Sequence, residues 1–159
     1  MFFNNAFSSG KILFVPEGSI DTYSAVSPWS SFTIYDIPNT ENYTMEIKDG
    51  ENVLYSLIFN LKEDESGMEV KIGMVPETNI ELTIPETIEF NPYYIYDVVS
   101  IADNAFKDET QDGTGCELFT TISIPSTIET IGDNAFAGCI GVTDIVSFAE
   151  TAPVTGDNC

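Results

Sequence analysis

The sequence predicts a mainly β fold with short helical turns, in which short coils stack as a solenoid behind a leading β-hairpin module. Three observations predict it. Ile128-Glu129-Thr130-Ile131-Gly132-Asp133-Asn134-Ala135-Phe136 follows Val98-Val99-Ser100-Ile101-Ala102-Asp103-Asn104-Ala105-Phe106 by thirty residues, with five of nine positions identical. Cys116, Phe119, Ile122 and Ile124 recur twenty-three residues later as Cys139, Val142, Ile145 and Ser147. Ile-Pro followed by x-Thr-Ile occurs at Ile84-Pro85 and again at Ile124-Pro125. Self-similarity at a short period marks a repeat architecture, in which a unit buries its apolar side only against its neighbours.

The elements follow in chain order. Gly18 supplies a turn after Leu13-Phe14-Val15-Pro16, and Ser19 is placed to cap a helix over 20–26. Pro38-Asn39-Thr40-Glu41-Asn42 reads as a linker. Tyr43 to Ile47, Leu54 to Leu61 and Met68 to Val75 read as strands, and turns at Asp49-Gly50 and Glu63 to Gly67 make them antiparallel hairpins. In Thr121-Ile122-Ser123-Ile124 the two Ile alternate with polar residues, so both face inward from a short strand that Pro125 ends. Ile128 and Ile131 return to the core, and Gly132-Asp133-Asn134 marks a turn. Ala135, Phe136 and Cys139 fit the inward face of one tight helical turn, before Val142 and Ile145 open the next coil. Fragments of the same unit stand at both ends, as Asn5-Ala6-Phe7 and Gly156-Asp157-Asn158.

Composition narrows the chemistry. The 159 residues are 43% apolar and 19% charged, enough for a core and too little charge for disorder. Asp and Glu number 26 against 5 Lys, with no Arg and no His, for a net charge of −21. That balance argues against nucleic acid and anionic membrane surfaces, since nothing neutralises phosphate. No apolar run is long enough to span a bilayer, and the first residues lack the pattern of a signal peptide. Without His there is no imidazole base or ligand, and without Arg no bidentate clamp. No nucleotide fingerprint occurs, so no cofactor is expected, and no residue is assigned a catalytic or metal-binding role. A carboxylate pair able to hydrolyse glycosides is the remote enzymatic alternative. The three cysteines, Cys116, Cys139 and Cys159, are odd in number and widely spaced, and read as buried free thiols.

Ile122 to Val142 carries Ile-x-Ile-Pro-x-x-Ile-x-x-Ile-Gly-x-Asn-Ala-Phe-x-x-Cys-x-x-Val, which closely resembles the BspA-like leucine-rich repeats of bacterial cell-surface proteins. A degenerate copy runs from Ile84 to Phe106, interrupted by Glu89 to Asp97, and 107–115 is a second insertion. The stretch Leu13 to Tyr23, with Trp29 and Phe32, resembles the segment that closes such arrays. The resemblance implies three parts. Residues 1–37 are a closing cap of a preceding array, 38–80 an antiparallel β-hairpin module, and 81–159 leucine-rich repeats truncated at the C-terminus. With a cap first and an unfinished array last, the chain reads as a fragment of a longer protein.

The resemblance further implies a non-enzymatic adhesion module, at the cell surface or secreted. Its partners would be host extracellular matrix or cell-surface proteins, other cells, or glycans, with a structural spacer as the alternative. Tyr93, Tyr94 and Tyr96, beside Asn91 and Pro92, are candidate contact residues because exposed aromatics stack on sugars and anchor proteins. The same rings are equally suited to covering the end of the array. Thr121 and Ser123, with Thr83, would line the sheet surface that solenoids use for binding. Asp108 to Gly113 has alternating oxygen ligands before a Gly but Phe119 where a calcium loop needs Glu, so a solvated loop is expected. Glu63-Asp64-Glu65 is expected to be a solvated hairpin tip, and Asn42-Tyr43-Thr44 is a glycosylation sequon only in a host that uses one. An open end at Cys159 would expose core residues, so self-association through it is expected.

Overall fold

The computed structural model describes residues 10–74, 80–107 and 118–158, and these are mainly β. Two units are distinguished, Met1–Asn39 with Glu89–Ile95, and Thr40–Ile88 with Tyr96–Cys159.

In the first unit β1 (Ile12–Pro16) and β2 (Thr33–Ile37) pair in parallel, with Leu13 beside Ile34 and Val15 beside Asp36. Parallel neighbours need a crossover. It is made by α1 (Ile20–Ser24) and a 3-10 turn at Trp29–Ser31. Gly18, at φ +74°, makes the turn out of β1, and the Ser19 amide donates to the Pro16 carbonyl at 3.0 Å. The helix is shorter than 20–26, and Ser19 does not cap it: its backbone is already helical and its side chain makes no cap hydrogen bond. A capping oxygen reaches the first free amides from an extended residue, a conformation the Gly18 turn does not leave to Ser19. Trp29 sits between Tyr23 and Phe32, with ring centroids 6.3 and 5.8 Å away.

The second unit begins as the expected antiparallel meander, β3 (Tyr43–Asp49), β4 (Asn52–Leu61) and β5 (Met68–Met74). Its apolar side buries Leu57, Phe59, Met68 and Val70. From there the pairing turns parallel. β6 (Ile80–Thr83), β9 (Phe119–Ile124) and β11 (Asp144–Ser147) form one ladder, with Leu82 beside Ile122 and Ile122 beside Ile145. β8 (Tyr94–Ile101), β10 (Thr130–Ile131) and β12 (Val154–Thr155) form the other, with Ser100 beside Thr130 and Thr130 beside Val154. β7 (Thr87–Asn91) pairs with β8, and β8 lies between β10 and β5, which runs parallel to it with Val70 beside Ile101. The positions that repeat in the sequence are therefore neighbours in space.

The turns that follow β10 and β12 are each held by a side chain of the coil before. Asp103 Oδ1 accepts the Asp133 amide at 2.8 Å, and Asp133 Oδ1 accepts the Asp157 amide at 2.7 Å. The intervening Asn104, Asn134 and Asn158 all take left-handed backbone, with φ of 58°, 53° and 55°, a conformation Asn tolerates well among residues with a side chain. The preceding residue is Ala102 in the first turn and Gly132 and Gly156 in the next two. A Cβ on Gly132 would collide with Asp103, and one on Gly156 with Asp133. The amides of Ala102, Gly132 and Gly156 donate alike to the strand before, at the carbonyls of Val70, Ile101 and Ile131; what precedes Ala102 is β5, which runs on as a strand to Met74 where the later coils turn.

The core follows the same stacking. Ile88 and Ile128, equivalent in the Pro-x-Thr-Ile phrase, are both buried. Phe106 stacks on Phe136 at 5.2 Å with the rings nearly parallel, and meets Phe119 edge-on at 6.3 Å. Phe119 also meets Tyr55 edge-on at 5.8 Å. The Tyr55 hydroxyl accepts the Thr83 amide at 2.9 Å and lies 3.1 Å from its carbonyl, so it occupies the backbone edge of β6. One expectation is corrected. Residues 135–138 form turns rather than a helix: Asn134 leaves helical φ, and the bonds from the Ala137 and Cys139 amides to the Asn134 and Phe136 carbonyls are not consecutive, as a helix requires. Ile145, paired with the buried Ile122, is itself exposed, because among the described strands β11 pairs only with β9.

Two outcomes are expected. Gly132→Ala destabilises the chain by about 1–3 kcal/mol in a denaturant titration, the usual cost of overpacking a tight contact; an unchanged midpoint would contradict the close approach. Tyr55→Phe costs about 0.5–1.5 kcal/mol at neutral pH, through the lost hydrogen bonding to Thr83. Burial pushes the Tyr55 phenol above its ordinary value, against the opposing pull of its hydrogen bonds with Thr83. The folded chain therefore keeps that proton longer than the unfolded one. Its contribution is whole below about pH 10 and is lost as the pH rises through the folded-state value. Stability should fall more steeply above about pH 10 in the native chain than in Tyr55→Phe.

Candidate interaction surface

Side chains alternate along a strand, so the burial of Leu82, Ile122 and Ile124 turns their neighbours outward. Three coils contribute two residues each: Glu81 and Thr83 from β6, Thr121 and Ser123 from β9, Asp144 and Val146 from β11. Thr121 lies between Glu81 and Asp144, and Ser123 between Thr83 and Val146, in unbroken register. Neighbouring strands are about 4.8 Å apart, so these six side chains form a two-row patch. Thr121 and Ser123 are half-buried within it, while Glu81, Thr83, Asp144 and Val146 are exposed. Thr143 steadies its margin, with Oγ1 at 2.8 Å from Asp144 Oδ2 and 3.2 Å from the Thr120 carbonyl.

The tyrosines are divided between the units. In the first unit Phe14 meets Tyr93 and Tyr94 edge-on, both at 5.5 Å, and Tyr35 meets Tyr93 at 5.0 Å. Asn91 builds this tip: its Oδ1 accepts the Tyr93 amide and its Nδ2 donates to the Asp36 carbonyl, both at 3.0 Å. Tyr93 stays 51% exposed while Tyr94 is half-buried. Tyr96 belongs to the second unit and is half-buried on β8. Phe14 and Tyr35 were not legible as partners of the tyrosines, since their pairing depends on the parallel register of β1 and β2, in which they are direct neighbours.

A groove of about 390 Å³ runs beside the second parallel ladder, lined by Glu69, Lys71, Asp103, Thr130, Gly132 and Gly156 among others. Its one ammonium, Lys71, is paired with Glu69 at 3.0 Å. At the β4–β5 tip Asp64 Oδ1 accepts from the Ser66 amide and hydroxyl at 3.1 and 2.7 Å, which holds its carboxyl below the ordinary range. Among the described residues no three Cys, Asp or Glu are grouped to hold a metal. The Asp108 to Gly113 stretch lies outside them, and no described helix is long and apolar enough to cross a membrane.

Cys139 corrects the reading of free thiols. It is disulfide-bonded, with its partner outside the described residues, and its sulfur lies 3.9 Å from the Phe106 carbonyl. Counting cysteines along the chain does not reveal a pairing that only the folded chain makes.

Equivalent positions side by side in two parallel ladders are the geometry of a repeat protein. The chain resembles bacterial leucine-rich repeat proteins. Similar solved structures include a leucine-rich repeat protein of T. pallidum, at 26% identity and a TM-score of 0.43 over 55% of this chain and 35% of that one. A leucine-rich repeat protein of Bacteroides ovatus matches at 29% identity and a TM-score of 0.47, over 60% of this chain and 23% of that one. A leucine rich cell surface protein of Faecalibacterium prausnitzii matches at 24% identity and 0.47, over 70% and 25%. The chain thus spans well under two thirds of the length of each of these three. No family model and no curated protein matches it.

The disulfide carries a direct expectation. A thiol-reactive chromophore added to the unfolded, unreduced chain should titrate one thiol per molecule, and three after reduction. Three before reduction would contradict the bonded Cys139.

Proposed function

We propose that this chain is a non-enzymatic binding module, a short BspA-like solenoid that meets a partner on the outer face of β6, β9 and β11. One observation carries the reading: three successive coils present Glu81, Thr83, Thr121, Ser123, Asp144 and Val146 in register on one sheet face. Such a face offers hydroxyls, carboxylates and a flanking apolar group at fixed spacing, which suits a folded partner surface or a glycan better than a small substrate. A second contact is Tyr93, whose ring is held by Phe14 and Tyr35 yet remains half in solvent. Aromatic groups held in this way bind with little loss of side-chain freedom. The net charge of −21 favours a partner with a basic surface and makes association sensitive to salt.

The disulfide at Cys139 suits an oxidising compartment, which supports a cell-surface or secreted location. Host matrix proteins, other cells and glycans are the partners this reading places first. The chain immobilised on a sensor should bind members of a panel of matrix proteins and glycans saturably, more weakly at high salt and equally with or without calcium. Thr121→Lys with Ser123→Lys should weaken that binding at least about tenfold, near 1.4 kcal/mol, and Tyr93→Ala should weaken it less. No saturable binding by a folded chain would overturn the reading and leave a spacer role.

A further inference from the structure

One flank of the coil stack is apolar and open. Ile145 on β11 and Phe148 just beyond it are each 62% exposed, and Val154 on β12 is 72% exposed. Ile145 continues a row that begins with the buried Leu82 and Ile122. Among the described strands β11 and β12 are the edges of their sheets. The opposite flank is occupied, because Tyr55 holds the backbone edge of β6 and β5 lies along β8.

The chain also contains a strand that fits this flank. Leu13-Phe14-Val15-Pro16 on β1 repeats the apolar-x-apolar-Pro phrase of Leu82-Thr83-Ile84-Pro85 and Ile122-Ser123-Ile124-Pro125. Like β6 and β9, β1 pairs in parallel, and among the described strands it pairs with β2 alone. Laid against β11 in the register by which β9 meets it, β1 sets Leu13 beside Ile145, Val15 beside Ser147 and Ile12 beside Asp144.

We propose that β1 of one copy of this chain adds in parallel to β11 of a second copy, covering Ile145 and Phe148. Each copy carries both surfaces, so the contact is heterologous and association grows past the dimer. The contact runs along the backbone edge of β11, the strand whose Asp144 and Val146 side chains also border the outer face assigned to partner binding.

Sedimentation of the full chain tests this. The native chain should rise from 17.5 kDa at micromolar concentration through successive multiples as the concentration increases. Ile145→Asp and Ile12→Asp, both at exposed sites, should each sediment as monomers, since each loses one of the two surfaces and sets a carboxylate against an apolar or acidic neighbour. Mixed in equal amounts they should form a 1:1 dimer and nothing larger, because one intact β1 meets one intact β11. Phe148→Asp, also at an exposed site, repeats the open-flank arm if Ile145→Asp fails to fold by circular dichroism. A native chain that stays monomeric at millimolar concentration would overturn the proposal. So would mixed variants that do not pair, or Ile12→Asp associating as the native chain does.

Discussion

The hydrogen bond from the backbone amide of one turn to the Asp side chain of the turn before governs how these coils sit. Asp103 receives Asp133, and Asp133 receives Asp157, at 2.8 and 2.7 Å. A charged acceptor bound to an amide that no strand ladder would otherwise satisfy is a strong, directional contact. It also dictates its neighbours. Gly132 and Gly156 leave space for the carboxylate, and Asn104 and Asn134 adopt left-handed backbone while their amides donate to the carbonyls of Asp133 and Asp157. With the turns locked one above another, Phe106 is carried onto Phe136 and Ser100 onto Thr130.

The candidate surface is a consequence of the same alignment. Coils that stack without slippage place Glu81, Thr121 and Asp144 in one row and Thr83, Ser123 and Val146 in the next. A shift of one residue would exchange the rows for the core residues Leu82 and Ile122. The hairpin module gives the stack its beginning: β5 serves β8 as a preceding coil would, and a phenol rather than a strand occupies the edge of β6.

Much of this was legible in the sequence, because repetition reports on spatial neighbours directly. The twenty-three-residue spacing that aligned Ile122 with Ile145 is a strand register in the structure, and the thirty-residue spacing puts Ser100 beside Thr130. The hairpin turns were legible because Asp49-Gly50 permits little else, Gly50 standing at φ 61°. What was missed depends on contacts remote in the chain. Ser19 has the right chemistry for a cap but the wrong backbone. Tyr55 looked like one more strand residue until β6 came beside it. Phe14 and Tyr35 joined Tyr93 only through a parallel pairing that no local pattern announces.

The most direct test of this account is amide hydrogen exchange at Asp133 and Asp157. In the native chain both amides should be protected although each opens a turn. Asp103→Ala should speed exchange at Asp133 by about tenfold or more, with a smaller effect at Asp157, and Asp103→Asn should restore most of the protection, since its carbonyl still accepts. Fast exchange at Asp133 in the native chain, or protection indifferent to Asp103→Ala, would contradict the claim that these carboxylates set the stacking of the coils.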